Sequence, residues 1–277
     1  MHDFKVIQIR FIKIFPLLLF MASYLSFNSA CLASSQEPMV VLVHGAHLTA
    51  KSWNRVEQKL NQNGIDSMAV NLPGRLDTIN PKKITLNSSS QFLCKAITNI
   101  HKKIVFVTHS QGGAIVNHAQ SICPNINVER IIYLASVSPL TNEKPFDSLS
   151  KADEENYFEG VSYEEKSGLM MISNEDAFVE SFSSIANSPL KNSILASAVN
   201  EPAYIADGVV NMDSKKYAAI KKFYIFTQQD KIISMDSQVK IAKQLKPIKT
   251  STINSGHIPM ITHPDELVSA LIQFITI

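Results

Sequence analysis

The sequence predicts an α/β fold: a mostly parallel sheet with helices on both faces and a helical cap. Short runs of β-forming residues alternate with amphipathic helical patterns, chemically active residues cluster just past the ends of those runs, and one long stretch breaks the alternation. With 277 residues, 45% hydrophobic and 18% charged, the chain can bury one large core, and it is neither disordered nor fibrous in composition.

Strands are expected at residues 39–43, 66–71, 104–108 and 128–134, of which 39–43 and 104–108 are compact runs rich in Val, Ile, Leu and Phe. Such near-continuous apolar runs suit parallel strands buried on both faces. Helices are expected between them at 52–63, 88–101 and 111–121, where apolar residues recur at helical spacing. From Ser136 to about Tyr217 no strand of comparable strength appears, and helical patterns run from Asp176 to Ile185 and from Lys191 to Val199. An insertion of about residues 136–217 is therefore read as a helical cap. The alternation then resumes with a strand over Lys222–Thr227, a helix over Ser234–Leu245 and a short strand over Lys249–Ile253. No internal repeat is visible, so residues 34–277 are read as one catalytic domain with its cap.

The first 33 residues read differently. Lys5, Arg10 and Lys13 precede an apolar run from Ile14 to Phe27, followed by the small residues Ser29, Ala30, Ala33 and Ser34. This is the pattern of a secretory signal, with cleavage expected after Ala33. Cys31 also invites lipidation, but Asn28 stands three residues before it where an aliphatic residue is wanted. The expectation is an exported protein, periplasmic or secreted, with no stable membrane insertion once the signal is removed. Removing residues 1–33 leaves basic and acidic side chains equal in number, so no basic patch argues for nucleic acid. Export would permit a bridge between the two remaining cysteines, Cys94 and Cys123. Spacing alone does not fix the geometry a bridge requires, and a free buried thiol is the commoner fate.

The most informative segment is Ile104-Val-Phe-Val-Thr-His-Ser-Gln-Gly-Gly113, where a β-run stops at a serine and two glycines and then becomes helical. A strand that turns this sharply into a helix lifts Ser110 above the sheet edge, the geometry of a nucleophile elbow. The elbow usually has glycine two residues before its serine; here that position is Thr108. A second run, Met39–Val43, leads into His44-Gly45-Ala46, whose amides are placed to donate above the serine. Ala46 and Gln111 are the expected oxyanion-hole donors. Asp230 directly follows the 222–227 strand and its Gln228-Gln229 turn, and His257 follows the 249–253 strand. A hydroxyl needs a base with a pKa near neutrality, and that base needs a carboxylate to fix its tautomer. Ser110, Asp230 and His257 are thus the expected nucleophile, acid and base.

Other features carry ordinary structural expectations. Asp207, Asp213 and Asp236 lack a preceding strand, and His101, His118 and His263 are read as surface or capping groups. His109 is placed to line the pocket without being required there. The acidic clusters Asp153-Glu154-Glu155 and Glu164-Glu165 are read as a solvated face. Phe158, Met170, Met171 and Phe178 are candidates for either the cap core or an apolar wall, and Trp53 for packing the first helix on the sheet. No H-E-x-x-H or C-x-x-C spacing suggests a metal, and no cofactor is expected.

Four segments together, Val40-Val-Leu-Val-His-Gly-Ala46 with Trp53 downstream, the Thr-His-Ser-Gln-Gly-Gly elbow, Tyr224-Ile-Phe-Thr-Gln-Gln-Asp230 and Ser255-Gly-His257, resemble the plant-type methylesterase and hydroxynitrile-lyase branch of the α/β-hydrolases, with its bacterial esterase relatives. The resemblance spans about residues 38–277 and implies the α/β-hydrolase fold and the same three residues in the same roles. Members that cleave cyanohydrins have threonine at the position of Gly45 and lysine at that of Ile258, and this chain has neither. The expected function is hydrolysis of small carboxylic esters through an acyl-enzyme on Ser110. The alternatives are a ligand-binding protein with a vestigial site and, behind it, a hydroxynitrile lyase. Substrate identity and oligomeric state are not legible at this level.

Overall fold

The computed structural model describes residues 37–277 apart from Pro124, together with His2. The segment read as an export signal lies, His2 excepted, outside the described residues.

The first half alternates as its apolar runs dictate: β1 (Met39–Val43), α1 (Asn54–Gln62), β2 (Ser67–Val70), α2 (Leu86–Ile97), β3 (Ile104–His109), α3 (Gly112–Ile122) and β4 (Val128–Leu134). Between β4 and the next sheet strand lie α4 (Lys151–Phe158), β5 (Val161–Glu164), β6 (Leu169–Ile172), α5 (Glu175–Ser183), α6 (Lys191–Leu195), β7 (Glu201–Pro202) and α7 (Ser214–Ala219). The chain ends with β8 (Lys221–Thr227), α8 (Met235–Leu245), β9 (Lys249–Ile253), α9 (Pro259–Thr262) and α10 (Pro264–Ile275).

Six strands form one sheet in the order β2-β1-β3-β4-β8-β9, every neighbouring pair parallel. All six residues of β3 are buried, as a central strand covered on both faces must be. Strand order reverses between β1 and β3, and in open α/β sheets ligands bind beside the carboxyl ends of the strands at such a reversal. The loops after β1 and β3 carry Ala46 and Ser110, so the fold puts them at this crevice. The loops after β8 and β9 bring Asp230 and His257 to the same sheet edge.

Helix limits follow local chemistry. α2 begins at Leu86, earlier than the expected 88, because Thr85 and Ser88 close a reciprocal capping box. Trp53 is fully buried in the core cluster that joins the first helix to the sheet.

The cap is not purely helical. β5, β6 and β7 form a three-stranded antiparallel sheet with no partner in the main sheet. Each strand has only two to four residues, too short to stand out as periodicity. Gly168, at φ +73°, supplies the left-handed residue of the hairpin between β5 and β6. Asp153 also departs from the solvated face expected of it. Its carboxylate is buried and accepts from the Ser150 and Ser234 amides and from the Ser237 hydroxyl, joining α4 to the start of α8.

Cys94 and Cys123 are bridged, with Cα atoms 5.2 Å apart, where a free thiol is the commoner expectation. α2 and α3 pack side by side, and this brings the two residues into reach. His118 is likewise not a surface group: 9% exposed on α3, it accepts from the Asn211 amide at 3.2 Å.

Candidate active site

Ser110 occupies the turn from β3 into α3 with φ of +50°, a left-handed conformation that non-glycine residues rarely adopt. The turn is held from several sides: the Ser110 carbonyl accepts from the Gly113 and Val137 amides and from the Ser136 hydroxyl, while its own amide donates to Leu134. Glycine is required opposite. A Cβ on Gly112 would lie 2.8 Å from the His44 carbonyl and 2.9 Å from that of Val43. That same Cβ would lie 3.1 Å from Thr108 Oγ1, so Gly112 also provides the space in which Thr108, fully buried, replaces the usual elbow glycine. Across the crevice, a Cβ on Gly45 would meet Ser110 Cβ at 2.6 Å.

His257 Nδ1 donates to Asp230 Oδ2 at 2.8 Å, and both side chains are buried. Asp230 is oriented by its own turn. Its Oδ1 accepts from the Ile232 and Ile233 amides at 2.8 and 2.9 Å, and its Oδ2 also accepts from Thr227 Oγ1 at 2.8 Å. With Nδ1 carrying the proton, Nε2 of His257 is left with its lone pair.

Ser110 and His257 line one cavity of about 510 Å³, together with Ala46 and Gln111. Ser110 Oγ has no hydrogen bond to His257 among the described contacts, so the structure unites histidine and aspartate directly and brings the serine to the same cavity wall. The Ala46 and Gln111 amides have no acceptor among the described hydrogen bonds. The remaining wall is largely apolar, with Phe146, Leu149, Phe158, Met170, Phe182 and Ile233. Of the four cap residues weighed from the sequence, Phe158 and Met170 thus reach the cavity, whereas Phe178 is buried in the core.

Three histidines surround the site as neutral, structural groups. His44 is driven down to about 3 by burial, with Arg75 adding to the effect; its Nδ1 donates to the Gly45 carbonyl and its Nε2 accepts from the Leu72 amide. His47 is also lowered to about 3, first by burial. His109 lies well below its usual value, through burial and then the neighbouring His257.

One feature of the cavity wall has no signal in the sequence. Arg75 holds Glu201 in a buried two-point ion pair, with Nε donating to Oε2 at 2.8 Å and Nη2 to Oε1 at 2.5 Å. Glu201 lines the cavity, and Arg75 also reaches the Gln111 side chain at 3.4 Å. The pair spans 126 residues of chain, so no local pattern marks it.

An elbow serine at a strand reversal, a histidine–aspartate pair at the same edge and a cap over the crevice define the α/β-hydrolase class. The sequence matches the alpha/beta hydrolase family over residues 40–270, and the chain belongs to that family. Among its relatives is a putative chloroplastic methylesterase 14 of Arabidopsis thaliana, 24% identical over 84% of this chain and 70% of the relative. Another is polyneuridine aldehyde esterase of Rauvolfia serpentina, 24% identical over 87% and 96% respectively. A pyrethroid hydrolase from Sphingobium faniae JZ-2 shares the fold with a TM-score of 0.74 at 16% identity, over 86% of this chain and 97% of that one. Among the described residues no helix is long and apolar enough to cross a membrane.

Proposed function

We propose that this chain is an exported serine hydrolase of small carboxylic esters, with Ser110 as nucleophile, His257 as general base and acid, Asp230 as its orienting carboxylate and the Ala46 and Gln111 amides as the oxyanion hole. The observation that carries the reading is the 2.8 Å Asp230–His257 contact on the cavity shared with the left-handed Ser110. Ser110 Oγ attacks the ester carbonyl while its proton passes to His257 Nε2, and the carbonyl oxygen takes up the displaced electron pair. Two amides fixed beforehand stabilise that charge without reorganising, each worth about 3 kcal/mol. Collapse of the intermediate expels the alkoxide, which takes the proton from His257. Water then attacks the acyl-enzyme with His257 as base, releasing the acid and restoring Ser110. Contacts between nucleophile and base of this kind often close only when substrate is bound.

The apolar wall and the volume of about 510 Å³ suit a small, largely uncharged ester. The esterase names among the relatives point the same way. Gly45 and Ile258 speak against cyanohydrin cleavage, because the family members that cleave cyanohydrins have threonine and lysine at those positions. Export is supported by the basic-then-apolar N-terminus and by the Cys94–Cys123 bridge, since disulfides persist in oxidising compartments.

The test uses the mature chain, a short-chain aryl ester and a fluorophosphonate probe. Ser110→Ala is expected to abolish both turnover and labelling with the fold intact. Turnover retained in that variant would overturn the mechanism, and an alcohol burst without a steady state would establish a binding protein with a vestigial site instead.

A further inference from the structure

His47, immediately after Ala46, is a second strained residue at the crevice, with φ of +59°. A side-chain-bearing residue persists in that region only where its surroundings hold it, and here every holder comes from the cap. Its amide donates to Glu201 Oε2 at 3.0 Å, and its carbonyl accepts from the Val199 amide at 2.9 Å. Its Nδ1 donates to the Val199 carbonyl at 3.0 Å, and its Nε2, left as the acceptor, receives the Tyr157 hydroxyl at 2.7 Å. All four polar atoms of one residue are therefore engaged by residues 157–201.

The direction of the Ala46 N–H follows from the backbone on either side of it. Gly45 before it is unconstrained by a side chain, so the torsions at His47 and the anchoring of the His47 amide decide how this turn sits over Ser110. Of the four bonds, the one to Glu201 reaches the backbone nearest to Ala46, and Glu201 is itself set by the two-point grip of Arg75. Arg75 touches the side chain of Gln111, the other proposed donor residue, as well.

We infer that Glu201, aligned by Arg75, is a positioning residue of the oxyanion hole: by anchoring the His47 amide it fixes the left-handed turn that aims the Ala46 N–H, so the cap sets the rate of chemistry as well as access. The inference rests on the hydrolase reading above.

Two paired replacements separate anchoring from charge. Arg75→Met with Glu201→Leu removes the acceptor yet leaves no unpaired buried charge, a replacement that folds tolerate well. Arg75→Met with Glu201→Gln keeps an acceptor for the His47 amide. Rates of aryl ester hydrolysis are expressed per active site titrated with fluorophosphonate, so that loss of folded protein does not enter. The leucine pair is expected to lower kcat and kcat/KM together by about 10- to 100-fold, as for a misaimed oxyanion donor, and the glutamine pair by less than about threefold. Arg75→Lys, which keeps the charge but cannot grip both carboxylate oxygens, covers a leucine pair that fails to fold, and is expected to lose about fivefold in kcat at unchanged KM. Wild-type kcat in the leucine pair, equal losses in the leucine and glutamine pairs, or, where the leucine pair does not fold, wild-type kcat in Arg75→Lys would overturn the inference. If the wild-type protein neither labels at Ser110 nor turns over ester, the hydrolase reading itself has failed; labelling and turnover with an unaffected leucine pair dismiss this inference alone.

Discussion

His109 Nε2 donates a 2.8 Å hydrogen bond to the main-chain carbonyl of His257, and the two imidazole rings lie 4.5 Å apart. The residue before the nucleophile thereby anchors the backbone of the proposed base, tying the end of β3 to the loop after β9. Because a carbonyl can only accept, the bond puts the His109 proton on Nε2, consistent with a neutral ring.

His109→Phe keeps a ring against His257 but removes the donor. The buried carbonyl left without a partner is expected to cost about 2 kcal/mol of stability, and displacement of the base about tenfold in kcat. His109→Gln, which can still donate, should recover most of both. Equal activity in the phenylalanine and glutamine variants would show that the bond does not hold the base.

Acid should weaken the fold through the neutral histidines. His44 and His47 take up protons near 6.5 when unfolded but only at about 3 when folded, mainly because burial penalises the charged ring. Between those values the unfolded chain binds more protons, so the stability is fully present above pH 6.5 and is lost as the pH falls toward 3. Each ring contributes a slope of about 1.4 kcal/mol per pH unit, and His109 adds in the same sense. Glu201, raised by burial, acts the other way. Urea midpoints should hold from pH 7.5 to about 6.5 and then fall steadily to pH 5, and a flat profile over the whole range would contradict neutral burial of these rings.

The main sheet and the placing of Ser110, Asp230 and His257 at its edge are legible in the sequence because each is encoded locally, as a polar residue just past a β-run in a fixed chain order. Thr108 reads as a defect in the elbow only because the space opposite it, at Gly112, belongs to a contact with the loop after β1. What stayed hidden depends on distant partners. Asp153 sits in an acidic run that reads as solvated until Ser234 and Ser237, more than 80 residues on, bury it. His47 and Glu201 are 154 residues apart and separately unremarkable in the chain. The cap sheet is not legible in the sequence because strands of two to four residues offer too little alternation to read.

The Cys94–Cys123 bridge closes a loop with a sequence separation of 29, tying α2 to the end of the elbow helix α3. In the chain-entropy account a loop of this length stabilises the fold by about 3–4 kcal/mol. The double variant Cys94→Ala with Cys123→Ala should melt roughly 7 °C lower by calorimetry, while kcat stays near wild type because neither sulfur touches the cavity. An unchanged melting temperature would mean that the bridge is not formed in the folded protein.

Asp230 is where the proposed mechanism depends most on a single proton. Its Oδ2 accepts from His257 Nδ1, which keeps Nε2 free to take the proton of Ser110. Asp230→Asn preserves shape but presents an amide donor to Nδ1 once its oxygen faces the Ile232 and Ile233 amides. The histidine must then turn its proton to Nε2, where it can no longer act as base. Turnover is expected to fall by about 10⁴-fold with little change in folding, and slow fluorophosphonate labelling of Ser110 should fall in parallel. A variant that kept more than a tenth of the wild-type rate would remove Asp230 from the mechanism and send the search to the other carboxylates that line the cavity, Asp147, Asp153, Glu154 and Glu201.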